Sequence, residues 1–141
     1  MNIRESIIAE AMTWIGTPWH HNAQIKGVGV DCAQFLIGVY HNVGLVPDID
    51  TGNYPRDWHL HKSQPMFLDF LSQYADQVLY AKTGDIIMWK YGRHPAHGSI
   101  VIDDHTIIHA FRDERGVVIT DLNHTNMKER FAGYYKLKGL D

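Results

Sequence analysis

The stretch whose reading decides the fold is Gly27-Val28-Gly29-Val30-Asp31-Cys32-Ala33-Gln34-Phe35-Leu36-Ile37-Gly38-Val39-Tyr40. Glycines break up its first part as far as an Asp-Cys pair, and helical periodicity starts at once. Phe35, Leu36, Val39, Tyr40 and Val43 recur at three- and four-residue steps and make one apolar face. Gly44 is placed to stop that helix. Cys32, the only cysteine of the chain, therefore falls at or beside the first turn of a buried helix. Unpaired N–H groups and the positive end of the helix dipole favour a thiolate there. The expectation is an accessible thiol with its pKa lowered from about 8.5 into the range of roughly 3.5–7.5. The competing reading is a small buried hydrophobe, which is what many free cysteines are. The rest of the chain bears on the choice by supplying histidines.

Outward from this segment, Asn2 with Glu5 three residues on has capping-box spacing. An apolar stripe through Ile3, Ile7, Ala11 and Trp14 predicts a helix over 3–15, ended by Gly16-Thr17-Pro18. Trp19 to Gly29 reads as a loop that feeds the Asp-Cys pair and forms one wall of a cleft. After Gly44, residues 45–62 read as irregular, with His59 and His61 among them, and a second helix is expected over 64–76 with Phe67, Leu68, Leu71 and Tyr74 inward. From residue 78 the pattern changes to short β-rich runs at 86–91, 97–102, 106–111, 117–122 and 133–137. Turn residues separate them, so an antiparallel meander is expected. Helices first and a sheet afterwards is an α+β domain, here a single one over 1–141.

Composition narrows the function. The chain has 141 residues, 45% apolar and 21% charged, with a net charge of -3 and a pI near 6.3. That balance gives no general attraction to nucleic acid or an anionic membrane. One cysteine excludes an intrachain disulfide and a cysteine-rich zinc site. No apolar run approaches a membrane span, and Arg4, Glu5 and Glu10 interrupt the N-terminus, which does not read as a signal peptide. The expectation is a soluble chain made in the cytoplasm, carried by something else if it acts outside.

Two of the ten histidines stand out. His97 opens one strand and His109 lies near the end of the next. In an antiparallel hairpin, opposite residues share a face and their numbers add to a constant. An odd connection such as Asp103-Asp104-His105 pairs Ile102 with Thr106 and Ser99 with His109. His97 is then a diagonal neighbour of His109 on the same face, within about 8 Å. A two- or four-residue connection puts them on opposite faces. The first arrangement suits nucleophilic acyl transfer, with Cys32 as nucleophile, His97 as base and acid, His109 as the orienting group, and helix-start N–H groups for the oxyanion. His20-His21, His59-x-His61 and His94-x-x-His97 lack a third and fourth metal ligand, so neither metal nor cofactor is expected. His41, His105 and His124 read as solvated polar residues. Lys128, Arg130, Lys136 and Lys138 read as a solvated face or as a contact for an anionic glycan.

Gly16-Thr17-Pro18-Trp19, Asp31-Cys32, Gly84-Asp85-Ile86-Ile87, His97-Gly98-Ser99-Ile100-Val101-Ile102 and Ile107-Ile108-His109-Ala110 together resemble the successive motifs of NlpC-type cell-wall peptidases. The His20–Gln24 and Tyr54–Trp58 stretches look most like the phage-tail and gene-transfer-agent branch. The resemblance implies a papain-like cysteine peptidase fold, with N-terminal helices packed on the antiparallel sheet and a Cys-His-His triad of Cys32, His97 and His109. It implies hydrolysis of a peptidoglycan stem peptide, usually between D-glutamate and diaminopimelate, with phage-tail partners and a place on a virion. The candidate substrate contacts are Trp19, Asp31, Ala33 and Ser99. Two departures touch them: the family usually has Tyr where Trp19 stands, and Ser-Gly where Ala33-Gln34 stands. An N-acetylmuramoyl-L-alanine amidase, an acyltransferase and a non-catalytic tail-assembly module remain as alternatives.

Overall fold

A computed structural model describes residues 1–49, 66–92 and 94–141. His59, His61, the Tyr54–Trp58 run and most of the stretch read as irregular lie outside the described residues. Helix α1 spans Ile3–Met12, and its capping box is complete: Glu5 N–H donates to Asn2 Oδ1 at 2.8 Å and Asn2 N–H to Glu5 Oε1 at 3.0 Å. The helix was expected to reach residue 15 but ends three residues earlier, because the chain is drawn sideways onto a strand. Gly16 N–H donates to Val117 O and Val117 N–H to Thr17 O. Gly116 permits that approach, since a Cβ there would lie 2.7 Å from Thr17 O.

A short hairpin, β1 (Gln24–Ile25) and β2 (Gly29–Val30), leads into α2 (Cys32–Asn42). Helix α2 is the centre of the molecule, with every residue from Ala33 to Tyr40 buried. Gly38 lets α1 close on it, because a Cβ there would meet the Trp14 ring at 2.9 Å. Gly44, at φ +84°, stands just past the C-cap Val43, where only glycine adopts that backbone at no steric cost. Helix α3 covers Met66–Tyr74 and yields to β3 (Ala75–Val78), two residues before the end expected for it. Pairing overrode helical propensity there: Ala75 lies opposite Leu137 in the sheet.

The remaining strands are β4 (Ile86–Tyr91), β5 (His94–Val101), β6 (Thr106–Phe111), β7 (Gly116–Asp121) and β8 (Phe131–Leu137). The six-stranded sheet has the order β3-β8-β4-β5-β6-β7, every pairing antiparallel. Strands β4 to β7 are the expected meander. Strand β8 is not its continuation, because it crosses back to lie between β3 and β4. The helices cover one face, where Ile86, Met88, Ile100, Ile108 and Leu137 join Ile7, Phe35, Leu36 and Tyr40. The other face carries a second apolar cluster of Ile87, Trp89, Val101, Ile107, Leu122 and Met127. Two buried polar ties fix the helices to the start of β4. Arg4 pairs with Asp85 at 2.9 Å, and Tyr40 OH donates to Gly84 O at 2.8 Å.

Candidate active site

Asp31 is the N-cap of α2 and only 3% exposed. Its Oδ1 accepts from Gln34 N–H at 2.9 Å and its Oδ2 from Asn22 N–H at 2.7 Å, so one carboxylate holds both the helix start and the preceding loop. Cys32 is thereby fixed as the first residue of the helix. Its environment depends on the sheet. Strands β5 and β6 pair only at Ile100–Ile108 and Val101–Ile107. The next pair of that register would be Ser99 with His109, but the ladder has ended there and the strands diverge. The Cys32 thiol lies against the backbone of β5 in the diverging part, 3.7 Å from Ala96 O, with Gly98 N–H also directed at the sulfur. In an extended strand the carbonyl of one residue and the N–H two residues on point to the same edge. The sulfur therefore occupies a place that a partner strand would otherwise fill, beside His97.

The register is the one expected from an odd connection, and it puts the two imidazoles together. His97 Nε2 and His109 Nδ1 are 2.7 Å apart. His109 Nε2 continues the chain to Thr120 Oγ1 on β7 at 2.9 Å. His97 Nδ1 makes no hydrogen bond among the described residues. One proton order satisfies all of this with a basic Nδ1 on His97. His97 Nε2–H donates to His109 Nδ1, and His109 Nε2–H donates to Thr120 Oγ1. Aromatic rings surround the pair: Phe111 stacks on His109 at 4.6 Å and lies 5.4 Å from His97, and Tyr91 meets His97 edge-on at 5.9 Å. Thr120, Phe111 and Tyr91 were missed by sequence reasoning. Only the register, which sets Thr120 across from Ile107 and next to His109, gives Thr120 away.

Burial decides the protonation states. It pushes His97 down to about 3 and His109 well below the usual imidazole range, the latter helped by its neighbour ring. Both rings rest neutral. Burial also pushes the Cys32 thiol well up, and the Asp31 charge adds to this, against donors from the N–H groups of Gly98, Ala33 and Cys32. The lowered thiol expected from the helix start is thus overturned. The dipole acts on a sulfur that has lost most of its water, next to a carboxylate, and desolvation is the larger effect. At rest the pair is a thiol beside a neutral imidazole.

Of the expected substrate contacts, Trp19 stands at the site, half-buried. Its backbone bridges Val30 and its N–H donates to Arg115 O at 2.9 Å, and the Arg112 guanidinium lies 5.6 Å over its ring. Ala33 is buried beneath the thiol, and Asp31 is occupied with capping. Ser99 is a correction. It has no exposed surface, and its hydroxyl accepts from Trp89 Nε1 at 2.9 Å while donating to Ile87 O, inside the cluster on the far face. Alternation puts Ser99 on the same face of β5 as His97, and it is the hydrogen bonds to Trp89 and Ile87 that occupy its hydroxyl and keep it from a substrate.

A profile of the NlpC/P60 family matches residues 16–136. Among solved structures, the NlpC/p60 domain of the peptidoglycan hydrolase SagA is similar at 22% identity and a TM-score of 0.61, covering 96% of this chain and 97% of that one. An NlpC/P60 family protein from Bacillus cereus is similar at 25% identity and a TM-score of 0.64, covering 93% of this chain but 39% of that one, so this chain spans about two fifths of its length. RipD from Mycobacterium tuberculosis, a non-catalytic NlpC/p60 domain protein adapted to peptidoglycan binding, is similar at 15% identity and a TM-score of 0.63, covering 99% of each chain. No curated protein matches the chain. The helices packed on an antiparallel sheet are the papain-like arrangement expected of such relatives.

Proposed function

The chain belongs to the NlpC/P60 family, and from that premise we propose that it is a cysteine peptidase that hydrolyses an amide bond in peptidoglycan stem peptides. The observation that carries the reading is the hydrogen-bonded chain from Thr120 through His109 to His97, with the Cys32 thiol against the backbone of the strand that carries His97. In this reading Cys32 Sγ attacks the scissile carbonyl carbon as its proton passes to His97 Nδ1. The tetrahedral oxyanion is met by the N–H groups at the start of α2. His97, now an imidazolium, is held by His109, whose Nδ1 accepts a charge-assisted bond from Nε2–H. The proton then goes to the leaving amine, and water hydrolyses the thioester by the same relay. A resting neutral pair suits this order, since proton transfer accompanies attack rather than preceding it.

The bond is the one between D-glutamate and diaminopimelate, and the one domain that the chain forms acts at the bacterial wall. Delivery by a phage or gene-transfer-agent tail fits the His20–Gln24 and Tyr54–Trp58 stretches. No described helix is long and apolar enough to cross a membrane. Digestion of purified diaminopimelate-type peptidoglycan tests the reading. Wild type should release muropeptides cut inside the stem, Cys32→Ala should release none, and EDTA should change nothing. Stems freed whole from muramic acid would make it an amidase instead.

One observation favours a second reading: burial holds the Cys32 thiol protonated, which also suits a wall-binding module like RipD, described as non-catalytic. Wall pull-down without turnover, in wild type and Cys32→Ala alike, would select it.

A further inference from the structure

The sheet face turned away from the helices carries a cavity of about 450 Å³, and none of Cys32, His97 and His109 lines it. That volume lies inside the roughly 300–1,000 Å³ of small-ligand sites. The cavity opens over the second apolar cluster, and Trp89, Phe131 and Tyr134 line it. Phe131 stands edge-on to Trp89 at 6.4 Å and tilted to Tyr134 at 4.7 Å, so the three rings do not form one flat platform. A faceted wall fits a rounded group better than a flat sugar ring. Trp89 spends its only side-chain donor on Ser99 Oγ, at 2.9 Å, and so offers the cavity no hydrogen bond. Phe131 is 43% exposed at the mouth.

Three exposed charges complete the lining: Asp103 and Asp104 from the β5–β6 turn, and Lys128 from the 3₁₀ turn before β8. Lys128 Nζ donates to Asn123 Oδ1 at 3.5 Å. Leu122 N–H in turn donates to His105 O at 2.7 Å, which ties the Asn123 segment to the β5–β6 turn. The lysine therefore leans toward the turn that bears the two aspartates. Yet among the described residues neither Lys128 nor Asp104 makes an ion pair, and Asp103 has only His105 Nε2, at 3.9 Å. A primary ammonium entering a ring-lined cavity gives up water that the rings cannot replace. A quaternary ammonium has no N–H to satisfy, and ring faces and nearby carboxylates both attract it. Two carboxylates outweigh one lysine, which favours a cation, and an anion on the same ligand turns the lysine from a repulsion into a contact. We propose that this cavity is a second ligand site, for a small zwitterion that carries a quaternary ammonium group and an anion. The ammonium seats against Trp89, Phe131 and Tyr134 beside Asp103 and Asp104, and Lys128 takes the anion. The site shares no lining residue with the catalytic set, so it stands or falls apart from the peptidase reading.

Phosphocholine titrated into the full chain, with the Trp89 indole N–H resonance as readout, tests it. That resonance should shift and saturate. Choline should bind about threefold more weakly than phosphocholine, the worth of one exposed charge contact. Phosphoethanolamine, which has the same anion on a primary amine, should bind about fivefold more weakly. Lys128→Gln should remove the preference for phosphocholine over choline, and Asp103→Asn with Asp104→Asn should weaken both ligands. Phe131→Ala should weaken phosphocholine about fivefold. All four side chains are exposed, so these variants should keep the fold. Co-sedimentation with phosphatidylcholine vesicles tells a lipid headgroup from a soluble zwitterion as the source, and either supports the proposal. Absence of a saturable shift, phosphoethanolamine binding as tightly as phosphocholine, or binding unchanged in both Phe131→Ala and Lys128→Gln would overturn it. Tighter binding of N-acetylglucosamine at the same indole would make the cavity a sugar site and overturn it as well.

Discussion

Acid should destabilise this protein through its histidine pair. In the folded state burial keeps His97 (6% exposed) and His109 (0%) neutral, with His97 at about 3. In the unfolded chain both titrate near 6.5. Below that pH the unfolded state binds more protons than the native one, so stability falls as pH falls. The contribution is fully present above about 6.5 and is lost progressively on the way down toward 3. His97 costs roughly 1.4 kcal/mol per pH unit in that window, so from pH 6.5 to 5 it costs about 2 kcal/mol, and His109 adds to this in the same direction. Against a total stability of roughly 5–15 kcal/mol this is a large share. For a chain of this size the His97 part alone should lower Tm by roughly 4–8 °C. Thermal melts followed by circular dichroism at pH 7 and pH 5 measure it. His109→Gln should lose part of the acid sensitivity. Ring C–H resonances of both residues should keep their neutral positions down to pH 5 in the folded protein. An equal acid loss in wild type and His109→Gln, or rings that titrate near 6.5 in the native state, would refute the reasoning.

Other substitutions probe the remaining parts of the site. Asp31→Ala removes the cap of α2 and leaves Asn22 N–H without that partner; it should cost about 2–3 kcal/mol, read as a fall in the denaturant midpoint. Asp31→Asn keeps the cap oxygen and removes the charge that raises the Cys32 thiol; iodoacetamide should then label Cys32 faster than in wild type at the same pH. In wild type, labelling should still be rising with pH above about 8.5, the free-thiol value. Thr120→Val leaves His109 Nε2–H without its acceptor; kcat should fall severalfold at nearly constant KM, with a stability cost of about 1 kcal/mol.

The parts legible in the sequence were those set by local chemistry. Asn2 and Glu5, Gly44 after its apolar face, and the alternation of β4 to β7 each carry a short-range signal that the structure follows. The parity of His97 and His109 was legible because register reduces to counting residues in a turn, and Ile102 N–H indeed bonds Thr106 O. What could not be read depends on distant partners. Strand β8 leaves the meander to pair with Ala75–Val78, a segment whose first two residues read as the end of a helix. The Ser99 hydroxyl is taken up by the Trp89 indole from the neighbouring strand. The protonation of Cys32 was misread because a helix start is visible in sequence, whereas the water removed by β5 is not.

The early end of the β5–β6 ladder has an evolutionary corollary. The sulfur borrows an opening that two diverging strands create, and the paired residues around it, Ile100 with Ile108 and Val101 with Ile107, owe nothing to the thiol. A lineage could therefore exchange Cys32 for alanine or serine and inherit the same groove, walls and charges with its chemistry switched off. Reactivity in such a scaffold is a removable ornament on a durable receptor. Retirement from cutting to gripping then takes one codon and no refolding.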